Sequence, residues 1–252
     1  MNQNSRRLLL LLISIILILP SCKQNDNPAP VNTDKIKTIT TINNPGNFPD
    51  TTTTTITYNS NGTIAYADET QYGNTLRTTY TYTTSYIVVN QNQTGSSDYV
   101  RDSFAINSNG IPTYHYETIS LDPTYNTEEI FFYSSNGQLA KTISSFPNIG
   151  QIDTIFSTWS NGDLIQQVST LGEHDMAYGF NTGIPCQPGD ALFVNQLLAL
   201  GYTQGLNDHL VTAMDPGADQ ATITYTYDSQ NRINGFTSVQ SGKTNSIVSI
   251  GY

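Results

Sequence analysis

A short polar turn closing on Asn-Gly, set between an aromatic strand end and an apolar strand start, recurs along this chain and limits what it can fold into. The clearest copy runs from Phe131 to Leu139 through Ser134, Ser135, Asn136 and Gly137. Further copies place Asn61 and Gly62, Asn109 and Gly110, and Asn161 and Gly162 at the same point, and a last one puts Asn231 where the others have Gly. A tight hairpin turn needs a residue with positive φ. Gly adopts it without a Cβ clash and Asn tolerates it best among the rest. With a degenerate copy at Thr83, Thr84 and Ser85, turns fall near residues 61, 84, 109, 136 and 161, about 25 residues apart, enough for two strands and two connections per repeat. The pattern is that of an antiparallel meander.

The N-terminus reads as an export signal. Arg6 and Arg7 precede an apolar run from Leu8 to Leu19, too short for a permanent membrane span, and Leu19, Pro20, Ser21 and Cys22 follow. Those four residues resemble a bacterial lipobox, which implies cleavage before Cys22 and lipidation of its thiol. Residues 1–21 are then a lipoprotein signal peptide and 22–35 a polar, proline-bearing tether, with a β-meander domain over 36–252. The resemblance implies an outer-membrane lipoprotein facing the periplasm or the cell surface.

Loss of Arg6 and Arg7 leaves eight basic residues against 20 acidic, a net charge of −12. Such a chain is repelled by nucleic acid and by anionic headgroups, so its membrane partner is reached through lipid alone. With Cys22 acylated, Cys186 is expected as a buried, inert thiol.

The repeat changes texture after Leu171, and a helical insertion is expected over about 172–220. Asp190 opens the apolar run Ala191 to Leu200, which stops at Gly201. A carboxylate able to accept the first free amides and a glycine suited to a left-handed stop predict one short helix here. Leu192, Phe193, Leu197 and Leu200 give it too broad an apolar surface for exposure. It must bury itself against the sheet.

The turn from Tyr227 to Ile233 resembles the tyrosine-aspartate hairpin repeats of large bacterial surface and toxin-shell proteins. The order of lipobox, tether, hairpin repeats, leucine-rich helix and the segment Ala221 to Asp228 resembles a family of Bacteroidota lipoproteins with a domain of unknown function, porin-like in fold. That resemblance implies a curved antiparallel sheet and an outer-membrane or surface address, and carries over no catalytic residue.

No nucleophile elbow, phosphate loop, zinc helix or calcium loop occurs, so neither a catalytic residue, a metal site nor a cofactor is assigned. Alternation sets Tyr114 and Tyr116 on one face and His115 with Glu117 on the other. That second pair either titrates together or forms a cross-strand polar pair on a wet face. Glu173, His174 and Asp175 read as a solvated loop. Tyr80 with Tyr82, and Tyr114 with Tyr116, each share a face, and Tyr133 and Trp159 hold corresponding strand positions. They are either core beneath the helix or a stacking surface for a ligand.

The fold expected is all-β: a single large curled antiparallel meander of roughly a dozen strands, half-barrel-like, with one short helix packed on it. The function expected is a non-enzymatic binding or surface-interaction module, taking a neutral glycan or a peptide at Trp159, Tyr80, Tyr82, Tyr114, Tyr116 and Tyr133. The alternative is a carrier of an apolar ligand held in the curled sheet under the helix.

Overall fold

The computed structural model describes residues 35–46, 49–172, 175–201, 207–215 and 220–252. The signal peptide, Cys22, all but the last residue of the tether, Glu173 and His174 lie outside the described residues.

Among the described residues sixteen strands run in chain order. They are β1 (Thr38–Asn43), β2 (Asp50–Tyr58), β3 (Ile64–Gln71), β4 (Asn74–Tyr82), β5 (Tyr86–Gln93), β6 (Tyr99–Ile106), β7 (Pro112–Ile119) and β8 (Thr127–Tyr133). The second half comprises β9 (Leu139–Phe146), β10 (Gln151–Ser160), β11 (Asp163–Ser169), β12 (Met176–Pro185), β13 (His209–Met214), β14 (Ala221–Tyr227), β15 (Ile233–Gln240) and β16 (Lys243–Gly251). Each pairs antiparallel with its sequence neighbours, and β16 pairs with β1 from Thr38 opposite Gly251 to Asn43 opposite Ser246.

The sheet is therefore a closed barrel, which corrects the expected half-barrel. A curled meander leaves two edges of unpaired N–H and C=O groups. Closure satisfies both, and a wide sheet with its natural twist and tilted strands can reach it. The stretch 172–220 supplies β12, β13 and the helix between them.

The repeat spacing has a geometric consequence. Every Asn-Gly-type turn falls on one rim, here the near rim, which also carries Lys35, Tyr252, the end of β12 at Pro185 and the start of β13 at His209. Gly62, Gly110, Gly137, Gly162 and Asn231 all have positive φ there. The degenerate turn uses side-chain chemistry instead, with Thr83 Oγ1 accepting from the backbone N–H groups of Ser85 and Tyr86.

Helix α1 (Ala191–Leu200) lies inside the barrel. Asp190 caps it, accepting from the amides of Leu192 at 2.8 Å and Phe193 at 3.3 Å, and Gly201 closes it in the left-handed conformation. The other carboxylate oxygen of Asp190 accepts from Val211 N–H on β13 at 3.0 Å and from the Tyr225 hydroxyl on β14 at 3.2 Å. Across the lumen, Tyr80 and Tyr82 on β4 donate to the carbonyls of Leu198 and Gly201. The helix thus bridges opposite walls, and its orphan end groups find partners on the strands. Val194, Leu197 and Leu200 pack with Ile36, Ile56, Ile64, Ile87, Phe104 and Leu139 into the main core, while Ala191 and Leu192 join Leu164, Tyr178, Val211 and Ile223.

Candidate functional site

The lumen has two storeys, and register explains both. Directly opposed residues on tilted strands trace a row that climbs obliquely through a barrel. The inward row Tyr82, Ile87, Phe104, His115, Glu129, Ser144 and Asp153 begins as apolar core near the near rim and ends in acid near the far rim. On the neighbouring inward row Asp102 of β6 stands opposite Glu117 of β7.

His115 is the centre of the far storey. Its Nδ1 lies 2.8 Å from Glu129 Oε2 and its Nε2 2.8 Å from Asp102 Oδ1, while Phe104 stacks on the ring at 4.3 Å between centroids. Burial would depress the imidazole pKa, but the two carboxylates outweigh it and raise it to about 10. An imidazolium donating from both nitrogens has no lone pair to act as a base. It serves as a fixed positive charge.

Glu117 differs. It is only 1% exposed, and its Oε2 has no hydrogen-bond partner. Burial foremost, then repulsion from Asp102 and Glu129, with His115 pulling the other way, pushes its carboxyl up to about 8. It lines a cavity of about 150 Å³ between strands β2–β7 and the helix face bearing Asn195, Leu198 and Ala199. Glu69, on the same wall, is also shifted upward, by burial and by Asp50. No group of three or more His, Cys, Asp or Glu among the described residues has the geometry to hold a metal ion.

A second cavity of about 430 Å³ lies at the near rim, lined by Tyr58, Ile64, Tyr82, Ile87, Ile106 and Leu197 together with threonines and the glycines of the turns. Its lining residues are uncharged, and the Lys35 ammonium sits at the rim, 3.0 Å from the Gly62 carbonyl and 4.8 Å from the centre of the Tyr58 ring.

The structure divides the aromatic residues singled out in the sequence. Tyr80, Tyr82, Tyr133 and Trp159 face inward in the near storey, where Tyr133 donates to the Pro112 carbonyl and Trp159 Nε1 to the Leu139 carbonyl, each at 2.7 Å. Tyr114 and Tyr116 face outward, opposite Ile130 and Glu128 on β8. Of the six, Tyr82 borders the near-rim cavity and Tyr80 the acidic one. His115 and Glu117 do share a face, and it is the dry one. His209 pairs with Asp163 at 2.8 Å near the start of β11, and Cys186 is half-buried.

Sequence reasoning did not single out Asp102, and it ranks Glu129, paired with Glu128, only as a weak candidate. The signal available was strand parity: Asp102 shares a face with Val100 and Phe104, and Glu129 shares one with Phe131, so each is a charge set among apolar residues.

No family model and no curated protein matches the chain. Among solved structures, a porin-like protein from Bacteroides uniformis superposes with a TM-score of 0.60, covering 86% of this chain and 97% of that chain at 18% identity. The two share a fold. A porin-like protein from Bacteroides vulgatus aligns over 86% of this chain and 99% of that one at 11% identity, with a TM-score of 0.42. The porin-like fold implied by the sequence resemblance is thus present.

Proposed function

We propose that this chain is a non-enzymatic binding protein of the cell envelope, anchored to an outer membrane by acyl chains on Cys22, whose barrel works in water and not as a membrane pore. The observation that carries this reading is the polarity of the walls. A barrel spanning a bilayer presents an apolar band all the way round and keeps a polar interior. Here the outward row across β2 to β7 is Thr57, Tyr66, Thr79, Asn90, Arg101 and Thr118, with the Asp68–Arg77 ion pair on the same face. A charged residue facing lipid at the midplane costs about 2–4 kcal/mol. The lumen, meanwhile, is occupied by the helix and an apolar core.

The ligand we assign is a neutral glycan or an extended peptide at the near-rim cavity. The Tyr82 ring and turn backbone offer stacking and hydrogen bonding there, with Lys35 at the rim over the Tyr58 ring and bonded to the Gly62 carbonyl, and the net charge of the chain disfavours anions. A carrier of an apolar chain fits less well, since the helix and core side chains fill much of the lumen, the cavity beside Leu198 is walled in part by carboxylates, and the near-rim cavity mixes Ile64, Ile87, Ile106 and Leu197 with tyrosines and threonines.

Cys22→Ser should yield an exported protein that stays in the soluble fraction without detergent and produces no conductance in planar bilayers. Partition of that variant into membranes after a high-salt wash would refute the acyl-anchor reading, and discrete conductance steps would refute the water-borne barrel. Calorimetric titration with neutral oligosaccharides and envelope peptides tests the ligand, and no heat of binding at millimolar concentration would sink it.

A further inference from the structure

We infer that the acidic cavity beside the helix is a binding site for a primary alkylammonium group. The inference concerns a different cavity from the near-rim site and does not depend on what binds there.

The first ground is an unsatisfied acceptor. Glu117 Oε2 is buried, lines the cavity and has no partner, whereas native interiors pair nearly every such atom. The second is the sign of the surroundings. The charged and titratable groups around Glu117 are Glu69 from β3, Tyr80 from β4, Asp102 from β6, His115 from its own strand and Glu129 from β8, while the helix contributes the uncharged Asn195. His115 is engaged by Asp102 and Glu129. The pull of His115 on Glu117 is outweighed by burial and by the two carboxylates, so a further cation from outside is what would favour its ionised form.

The shape of the cavity selects among cations. A metal ion is disfavoured, because no triad of ligating side chains among the described residues converges there. The volume of about 150 Å³ matches cavities known to hold about six heavy atoms. One part of the wall is apolar, from Val89, Val100 and Leu198, and the other carries Glu117, Glu69 and Gln91. An ammonium on a short aliphatic stem complements both parts, with three N–H donors for the carboxyl and amide oxygens and methylenes against the helix. Half-exposed Glu69, Thr78 and Gln91 give the cavity its way to solvent.

Binding carries a proton balance. Glu117 holds its proton to about pH 8 in the empty protein, so an ammonium entering at pH 7 displaces about one proton to solvent, and the site's affinity falls about tenfold for each unit that pH drops below 8.

The test is titration of the full chain with n-butylammonium chloride, with n-butanol as the uncharged isostere. Proton release is read from the dependence of the heat on buffer ionisation enthalpy. The expected result is saturable millimolar binding of the amine and none of the alcohol, with close to one proton released at pH 7. Glu117→Gln, near-isosteric and free of the buried charge, should bind at least about tenfold more weakly and lose the pH dependence. Nα-acetyl-lysine amide distinguishes the source: binding of it as well as of butylammonium assigns a lysine side chain, and binding of butylammonium alone assigns a free amine. Equal affinity in Glu117→Gln, equal binding of butanol, or no saturable amine binding would each overturn the inference.

Discussion

Glu117→Gln should make the empty barrel more stable, by an amount that depends on pH in a way no packing effect reproduces. In the folded chain the carboxyl holds its proton to about 8, and its ordinary value is 4.5. Below pH 4.5 both states carry the proton and Glu117 contributes no pH dependence. Between 4.5 and 8 the unfolded chain releases it and the folded chain keeps it, so stability falls as pH rises, by about 1.4 kcal/mol per pH unit. Above 8 both states are ionised and the loss levels off. At pH 7 the accumulated loss is about 3 kcal/mol, and at pH 5 it is below about 1 kcal/mol. Glutamine carries no charge to desolvate. The variant's advantage over the natural chain should therefore be small at pH 5, about 3 kcal/mol at pH 7, and constant above pH 8. Urea denaturation of both proteins at pH 5, 7 and 8.5 measures it, and the pH 7 midpoints should differ by about 1 M or more. A difference that does not change with pH would refute the electrostatic account of the cavity, as would a variant less stable at every pH.

Asp190→Ala should cost about 3–7 kcal/mol, because it removes a helix cap worth about 1 and strands the buried Val211 N–H and Tyr225 hydroxyl at about 1–3 each. A loss under about 1 kcal/mol in thermal or urea unfolding would show that water takes over those partners. Gly137→Val should lower the denaturation midpoint more than Thr53→Val, since Gly137 sits at φ 83° and a β-branched residue there is strained by about 1–3 kcal/mol. Val suits the outward strand position of Thr53 as well as Thr does. Equal midpoints would refute the turn assignment.

The sequence by itself determined whatever depends on a few neighbouring residues. Asn-Gly pairs set the turns because positive φ is a property of one residue, and Asp190 and Gly201 bound the helix because capping reaches only three or four residues. Period-two alternation separated His115 and Glu117 from Tyr114 and Tyr116 because successive strand side chains point to opposite faces. Three things were decided only by the tertiary structure. Closure depends on Thr38 meeting Gly251 from the far end of the chain, and an open edge strand carries the same local pattern as a closed one. Which face points inward is not legible from alternation when the outer wall carries exposed Ile130, Phe132 and Phe156 and the inner wall carries Glu117 and Asp102. The acidic storey exists because register across three strands, β6, β7 and β8, sets Asp102 and Glu129 on either side of His115. Burial then turns ordinary carboxyls into groups with shifted affinities for protons, because desolvation is a property of the enclosed lumen and not of any residue read along the chain.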